Sequence, residues 1–134
     1  MIYLPDTNVW IAYLNAGDSP VKTHFLHHSV QEIALCAVVK AELLYGAHRS
    51  TKRDANFRLL EMLFREFVSL PFDDVAAHHY GRIRATLAAR GTPIGPNDLM
   101  IAATALAHDL TLVTHNTNEF RRVEGLSLED WVLA

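Results

Sequence analysis

Cysteine is almost absent from this sequence. Cys36 stands alone among 134 residues, so no internal disulfide can staple the fold, and its neighbours Leu35 and Ala37 predict a buried thiol. A basic surplus is absent too. The formal net charge of −3 argues against a protein that coats nucleic acid through a generally positive surface. It leaves room for an enzyme whose acidic centre sits inside a rim of local arginines. No apolar run approaches the roughly 20 residues that span a bilayer, and the first residues lack a signal-peptide pattern. There is no repeat, no linker and no low-complexity segment. Also missing are HExxH, CxxC and any spaced Cys/His set, which argues against zinc, and the GxSxG elbow, the P-loop and the GxGxxG fingerprint. These absences predict a soluble cytoplasmic protein with no membrane partner.

What remains is a chain that is half hydrophobic and the length of one domain, able to bury roughly two thirds of its unfolded surface. Residues 1–134 read as a single unit. The apolar run Ile2-Tyr3-Leu4-Pro5 ends at Asp6-Thr7-Asn8 and passes into Val9-Trp10-Ile11-Ala12-Tyr13-Leu14. This predicts a buried strand that delivers Asp6 to its carboxyl end, with a helix starting on the next residue. Ala16 to Pro20 is a turn cluster whose Ser19-Pro20 opens a helix to about His28. Ile33 to Cys36 is a second strand, and a helix through Val38 to Leu44 ends near Gly46. A longer helix follows from Thr51 to Phe67. Its stripe of Phe57, Leu60, Phe64 and Phe67, with Leu59 and Leu63 beside it, is more apolar surface than one sheet face requires, and predicts a partner-binding face.

Val68 to Phe72 is a third strand, ended or held at an edge by Pro71. Asp73 and Asp74 open a helix with core stripe Ala76, Tyr80, Ile83 and Leu87, closed at Gly91. A stiff loop from Thr92 to Pro96 leads to Asn97-Asp98 and an apolar helix, Leu99 to Ala107. Leu110 to Val113 is the next strand, His115 to Glu119 a polar loop, and Leu126 to Val132 a peripheral last strand. Strands alternating with helices mean an α/β fold: a central parallel sheet flanked by helices on both faces.

Acids fall at the ends of these elements. Ligands of open α/β sheets bind at the carboxyl ends of strands, where Asp6 is delivered; a helix cap is its plainer role. Asp98 lies in the first turn of a buried helix, where the positive end of the helix dipole favours an ionised carboxylate, so function and ordinary dipole pairing are evenly matched. Glu42 falls on the helix wheel between Val38, Val39 and Tyr45, with Lys40 nearly opposite. An ionised Glu facing a core requires a partner or a cation; pairing with an arginine, or a path to solvent, are the alternatives. Asn116 and Glu119 follow a strand on the same rim as Asp6, and equally form a capping-box pattern. Acids meeting on one rim repel one another without a cation. Oxygen-only ligands suit hard ions, so Mg²⁺, with Mn²⁺ as a substitute, is the natural occupant. Such an ion can hold a phosphodiester, activate water and stabilise the leaving oxygen, which makes hydrolysis of a nucleic-acid backbone the reaction these acids best support.

The eight histidines carry no comparable pattern, since His27-His28 and His78-His79 are adjacent pairs that point in different directions on a helix. Cations cluster at Arg49, Lys52 and Arg53, at Arg82 and Arg84, and at Arg121 and Arg122. Each cluster alone reads most simply as a solvated helix face.

Five blocks occur in order: Leu4-Pro5-Asp6-Thr7-Asn8-Val9-Trp10-Ile11, Lys40-Ala41-Glu42-Leu43-Leu44-Tyr45-Gly46, Pro96-Asn97-Asp98-Leu99-Met100-Ile101-Ala102-Ala103-Thr104-Ala105, Val113-Thr114-His115-Asn116-Thr117-Asn118-Glu119-Phe120 and Gly125-Leu126-Ser127-Leu128-Glu129-Asp130-Trp131. Running nearly end to end, they resemble the PIN-domain ribonucleases, specifically the VapC-type toxins of bacterial toxin–antitoxin pairs. The resemblance implies a single PIN-like, Rossmann-like domain and a Mg²⁺-dependent endoribonuclease that hydrolyses RNA, tRNA included among its candidate substrates. It also implies a homodimer held inactive by a cognate antitoxin protein whose C-terminal segment occupies the site. Asp6, Glu42 and Asp98 match the family's acids position for position. Asp6 and Asp98 would be the principal metal ligands; Glu42 would bind the ion directly or through water and orient the attacking water.

Two positions depart from the family pattern. Asn116 stands where many members carry a fourth acid, with Glu119 three residues on, so which of the two completes the site is left open. Pro5 replaces a more usual aliphatic residue and removes one backbone donor beside Asp6. Two other classes stay in view. One is a phosphoaspartyl receiver or phosphatase-like α/β domain, against which Asn8 and the lack of lysine at positions 110–116 both count. The other is a non-catalytic binding module in which the acids are caps.

Overall fold

Strand β1 (Tyr3–Pro5) lies in parallel beside β4 (Thr111–Val113), although more than a hundred residues separate them in sequence. On its other side it meets the approach to β2 (Leu35–Cys36) through a parallel bridge between Tyr3 and Ile33. β2 pairs with β3 (Ser69–Leu70) and β4 with β5 (Leu128–Glu129), again in parallel. The Ile2 N–H donates to the Glu32 carbonyl at 2.8 Å and the Ala34 N–H to the Tyr3 carbonyl at 2.9 Å. These bonds join the two ladders into one layer, in the order β3-β2-β1-β4-β5. The structure is a computed structural model, and it describes residues 1–133.

Strand order reverses direction after β3. Right-handed connections therefore place α1 (Thr7–Leu14), α2 (Pro20–Leu26), α3 (Ala37–Arg49) and α4 (Arg53–Glu66) on one face, and α5 (Asp74–Ala89) and α6 (Pro96–Ala107) on the other. With both faces covered, the strands read as apolar runs rather than alternations: Leu4, Leu35, Cys36, Leu112 and Val113 are all fully buried. Burial pushes the Cys36 thiol up from its ordinary pKa, in keeping with the inert thiol expected.

Several boundaries differ from the sequence pattern, each for a local reason. α3 runs through Gly46 to Arg49, because Gly46 keeps ordinary helical backbone and the stop is supplied by Ser50, whose N–H and hydroxyl both return to the Ala47 carbonyl. α4 begins at Arg53, two residues after the expected Thr51. α6 starts at Pro96 rather than Leu99, since proline is pre-set for the first helical position; Asp98 is thus its third residue. The polar stretch after β4 contains a single-turn helix, α7 (Thr117–Phe120). The expected last strand shrinks to Leu128–Glu129, with Trp131 beyond it fully buried. Gly91 closes α5 as expected: at φ 70° it lets Thr92 N–H reach the Leu87 carbonyl at 3.0 Å.

Helix α1 is anchored by Trp10, which is fully buried and meets Phe25 and Phe67 edge-on at centroid distances of 5.2 and 4.9 Å. Its indole N–H finds no acceptor among the described residues. The ring's contribution is therefore area and contact, not hydrogen bonding. Trp10→Phe, which removes the unpaired donor together with part of the ring, should cost no more than about 1–2 kcal/mol, whereas Trp10→Ala should cost about 3–5 kcal/mol. Urea unfolding of the two variants measures both, and equal losses would show that the N–H is satisfied in solution.

Candidate functional site

β1 and β4 are neighbours whose onward connections leave in opposite directions. Such a switch point opens a crevice at the carboxyl ends of the two strands. Asp6 is the first residue past β1 and enters this crevice. Its N–H donates to the Val113 carbonyl at 2.9 Å, which extends the ladder and fixes the backbone. The side chain is 7% exposed, and Oδ1 accepts the Val9 N–H at 3.0 Å. Asp6 is therefore a helix cap, but the cap uses only one oxygen. The buried Thr114 hydroxyl lies near enough to favour the ionised form of this carboxylate. Burial pushes the Asp6 pKa up, Thr114 and the Val9 hydrogen bond oppose the rise, and the Glu42 charge adds to it.

Glu42 is half-buried on α3. The partner demanded by its position is the hydroxyl of Thr7, which donates to Oε1 at 2.6 Å. No arginine pairs with it among the described residues. Tyr45, placed inward by the helix wheel, is 62% exposed. Val38 and Val39 are buried as expected, together with Leu43 and Ala47, so Glu42 falls between two buried positions and is itself only half-buried.

Asp98 occupies the first turn of α6, half-buried. The helix dipole alone would favour its ionised form. Burial, followed by the charges of Glu119, Asp6 and Glu42, instead raises its pKa to about 6. Those three charges place Asp98 in one electrostatic cluster with the other acids. Glu119 is brought there by α7, and the Asn116 side-chain amide donates to Glu119 Oε2 at 2.6 Å. The capping box is not formed, since the Asn116 side chain makes no cap hydrogen bond to the helix backbone. Asn116 thus faces Glu119, while its own N–H is held by the Thr114 hydroxyl at 3.0 Å.

Asp98 feels the charges of Glu119, Asp6 and Glu42, and Asp6 feels that of Glu42, with Asn116 beside Glu119. Among the described residues, no group of three His, Cys, Asp or Glu side chains stands already arranged to hold an ion. The carboxylates are coupled by charge without closing on a single point. Their donor set is oxygen only, which fits a hard divalent cation and no softer metal. Two participants are invisible to a reading of the sequence: Thr7, which orients Glu42, and Thr114, which steadies Asp6. The available signal is position, because each hydroxyl stands at the junction of an element with an acid-bearing loop.

The raised pKa of Asp98 has a consequence for stability. Below the unfolded value of 3.8 the carboxyl is protonated in both states; above it the unfolded chain ionises first, so stability is lost as pH rises through about 6. Asp98→Asn should therefore raise the Tm of chelator-treated protein at pH 7.5, and the gain should vanish towards pH 4. Thermal melts across that range decide it. A difference independent of pH would contradict the electrostatic cluster.

The PIN domain pattern matches residues 3–126 of the chain. The tRNA(fMet)-specific endonuclease VapC of Shigella flexneri is 38% identical over 129 residues, 96% of this chain and 97% of that one. The fold superposes on the DNA-bound VapBC of Salmonella typhimurium with a TM-score of 0.91 and 34% identity, covering 98% of each chain. VapBC-5 of Mycobacterium tuberculosis, described as a member of the VapBC family of toxin–antitoxin systems, gives a TM-score of 0.70 at 27% identity over 96% of each chain. Matched over nearly its whole length in both sequence and fold, the chain belongs to the PIN domain family, among its VapC-type members.

Proposed function

We propose that this chain is a metal-dependent endoribonuclease and the toxin of a toxin–antitoxin pair, with residues 1–134 forming one cytoplasmic PIN domain that works as a homodimer. The observation that carries the chemistry is the gathering of unneutralised carboxylates, one raised to about 6, at the switch point of a parallel sheet. Relatives named as ribonucleases and endonucleases support the substrate class, and the name of the Shigella relative supports tRNA in particular. Among the described residues no helix is long and apolar enough to cross a membrane.

Asp6 and Asp98 are the ligands proposed for Mg²⁺, or for Mn²⁺ in its place, with Glu42 as the third. When bound, the ion supplies the charge that activates water and stabilises the leaving oxygen. Thr7 occupies Oε1 of Glu42 and leaves Oε2 for the ion or for the attacking water. The Val9 N–H orients Asp6 Oδ1, and the neighbouring Thr114 favours its ionised form. Glu119, positioned by Asn116, is the better candidate for a fourth acid, because its charge is the largest influence on Asp98 after burial. With water as nucleophile the RNA 2′-hydroxyl is not needed, and the products carry 5′-phosphate and 3′-hydroxyl ends.

An antitoxin has a surface to dock on. α1, α3 and α4 enclose a groove of roughly 570 Å³, walled by Ile11, Leu14, Leu43, Leu59 and Leu60, that opens onto Glu42. Of the stripe expected to face a partner, Leu60, Leu63 and Phe67 are buried in the core and Phe57 and Phe64 pack against it; the apolar surface α4 leaves open is Leu59, 41% exposed, and Met62, 65% exposed.

Purified toxin, freed of antitoxin and incubated with tRNA, tests the proposal. Cleavage should require Mg²⁺ or Mn²⁺, stop with EDTA, and fall on the order of 100-fold or more in Asp6→Asn and Asp98→Asn with unchanged circular dichroism. Full activity in either variant, or products ending in 2′,3′-cyclic phosphate, would overturn the assigned mechanism.

A further inference from the structure

Beyond the acids, the exposed side of α3 carries a feature that the chemistry above does not use. Tyr45 is 62% exposed, the largest such fraction of any aromatic side chain among the exposed hydrophobic residues. The guanidinium of Arg49 lies over its ring, 5.2 Å from the centroid. Both follow Glu42 along the helix. Tyr45 is three residues on and so a surface neighbour, while Arg49 is two turns on, about 10 Å along the axis. The chain then turns into Lys52 and Arg53, and Lys52 shares the groove edge with Glu42. Arg49, Lys52 and Arg53 make no ion pair among the described residues, and Asp54 is the sole acid between positions 49 and 54. In a chain of net charge −3 this is a local positive surplus beside an acidic centre.

We propose that Tyr45 and Arg49 form a stacking platform for an unpaired base of the RNA next to the cleavage point, with Lys52 and Arg53 receiving its phosphates. The assignment rests on the ribonuclease reading and adds to it a subsite and a substrate form: a single-stranded segment. A phenol face with a guanidinium over it presents two flat π surfaces, and unpaired bases stack on such surfaces whatever their identity. A base inside a duplex has no free face to offer. The cations supply the salt-dependent share of binding that the acidic centre cannot. A phosphate bound at Lys52 or Arg53 keeps the strand's path beside Glu42 and so beside the reacting bond.

The test separates this subsite from the chemistry by measuring binding in protein that does not cut. In an Asp98→Asn background, fluorescence anisotropy with a labelled single-stranded oligoribonucleotide should show Tyr45→Ala weakening binding by about 10-fold, as expected from the loss of one base stack. Tyr45→Phe and Tyr45→Trp should retain it, and a duplex of the same sequence should bind weakly whichever residue occupies position 45. In wild-type background Tyr45→Ala should raise KM with little change in kcat, leaving Mn²⁺ binding to the RNA-free protein unaltered. Unchanged RNA binding in Tyr45→Ala would overturn the proposal. So would equal loss in Tyr45→Phe, which would assign the effect to the hydroxyl, or conversion of Tyr45→Ala to a monomer with RNA binding intact, which would give the face to a second copy of the chain. Failure of the wild-type protein to cut RNA would sink the ribonuclease reading alone, because the binding measurement is read independently of cleavage.

Discussion

The parallel pairing of β1 with β4 is the contact on which the rest of the molecule depends. It brings the first residues of the chain beside residues 111–113, and the Asp6 N–H completes the ladder on the Val113 carbonyl. Once that bond is made, Asp6 stands at the floor of the crevice, 7% exposed. Its carboxylate is caught between the Val9 N–H and the Thr114 hydroxyl at the carboxyl ends of both strands. Every other acid reaches the crevice from an element whose position follows from this pair: Glu42 from α3 after β2, Asp98 from the helix that feeds β4, Glu119 from the turn that leaves it.

Much of this is legible in the sequence because it is periodic or local. Buried parallel strands are short apolar runs, and Ile2 to Pro5, Ile33 to Cys36 and Leu110 to Val113 all have that form. Asp6, Asp98 and Glu42 stand out because each combines a charge with a position where a charge is expensive. Long-range partners are not legible. Nothing in the sequence states that the Thr7 hydroxyl meets Glu42, thirty-five residues away, or that Thr114 meets Asp6. The boundary of α3 differs from its sequence pattern because packing overrides a local preference. Gly46 sits inside the helix because flanking Leu43 and Ala47 continue its buried face, and that tertiary packing outweighs roughly 1 kcal/mol of intrinsic preference. The sign of the Asp98 shift escapes the sequence for a related reason. A helix dipole is visible from sequence, whereas burial and three converging carboxylates are not.

The converging carboxylates work against the fold that assembles them. Burial raises Asp6, and burial together with neighbouring charge raises Asp98; neither has a cationic side chain beside it to offset the loss of hydration. Had the acids been selected for stability, hydrophobic or amide side chains of similar size would serve better. On the proposed reading, a cation bound among Asp6, Glu42 and Asp98 would offset that cost, with Glu42 already oriented by Thr7 and Asp6 by its cap on Val9.

An acidic protein that acts on a polyanion must also keep its own field from repelling the substrate. Screening makes this possible. At physiological ionic strength the Debye length is about 8 Å, while Arg49 lies about 10 Å along α3 from Glu42. Exposed charges at that separation act nearly independently. On the proposed subsite Arg49 would hold the strand largely screened from the net charge of −3, while Lys52, on the groove edge with Glu42, would lead it to the carboxylates. There the repulsion would be short-ranged, and a divalent cation bound as proposed would cancel it locally. Attraction and repulsion can thus coexist beside one another, with Arg49 two turns along α3 from Glu42 and Lys52 and Arg53 in the turn that follows.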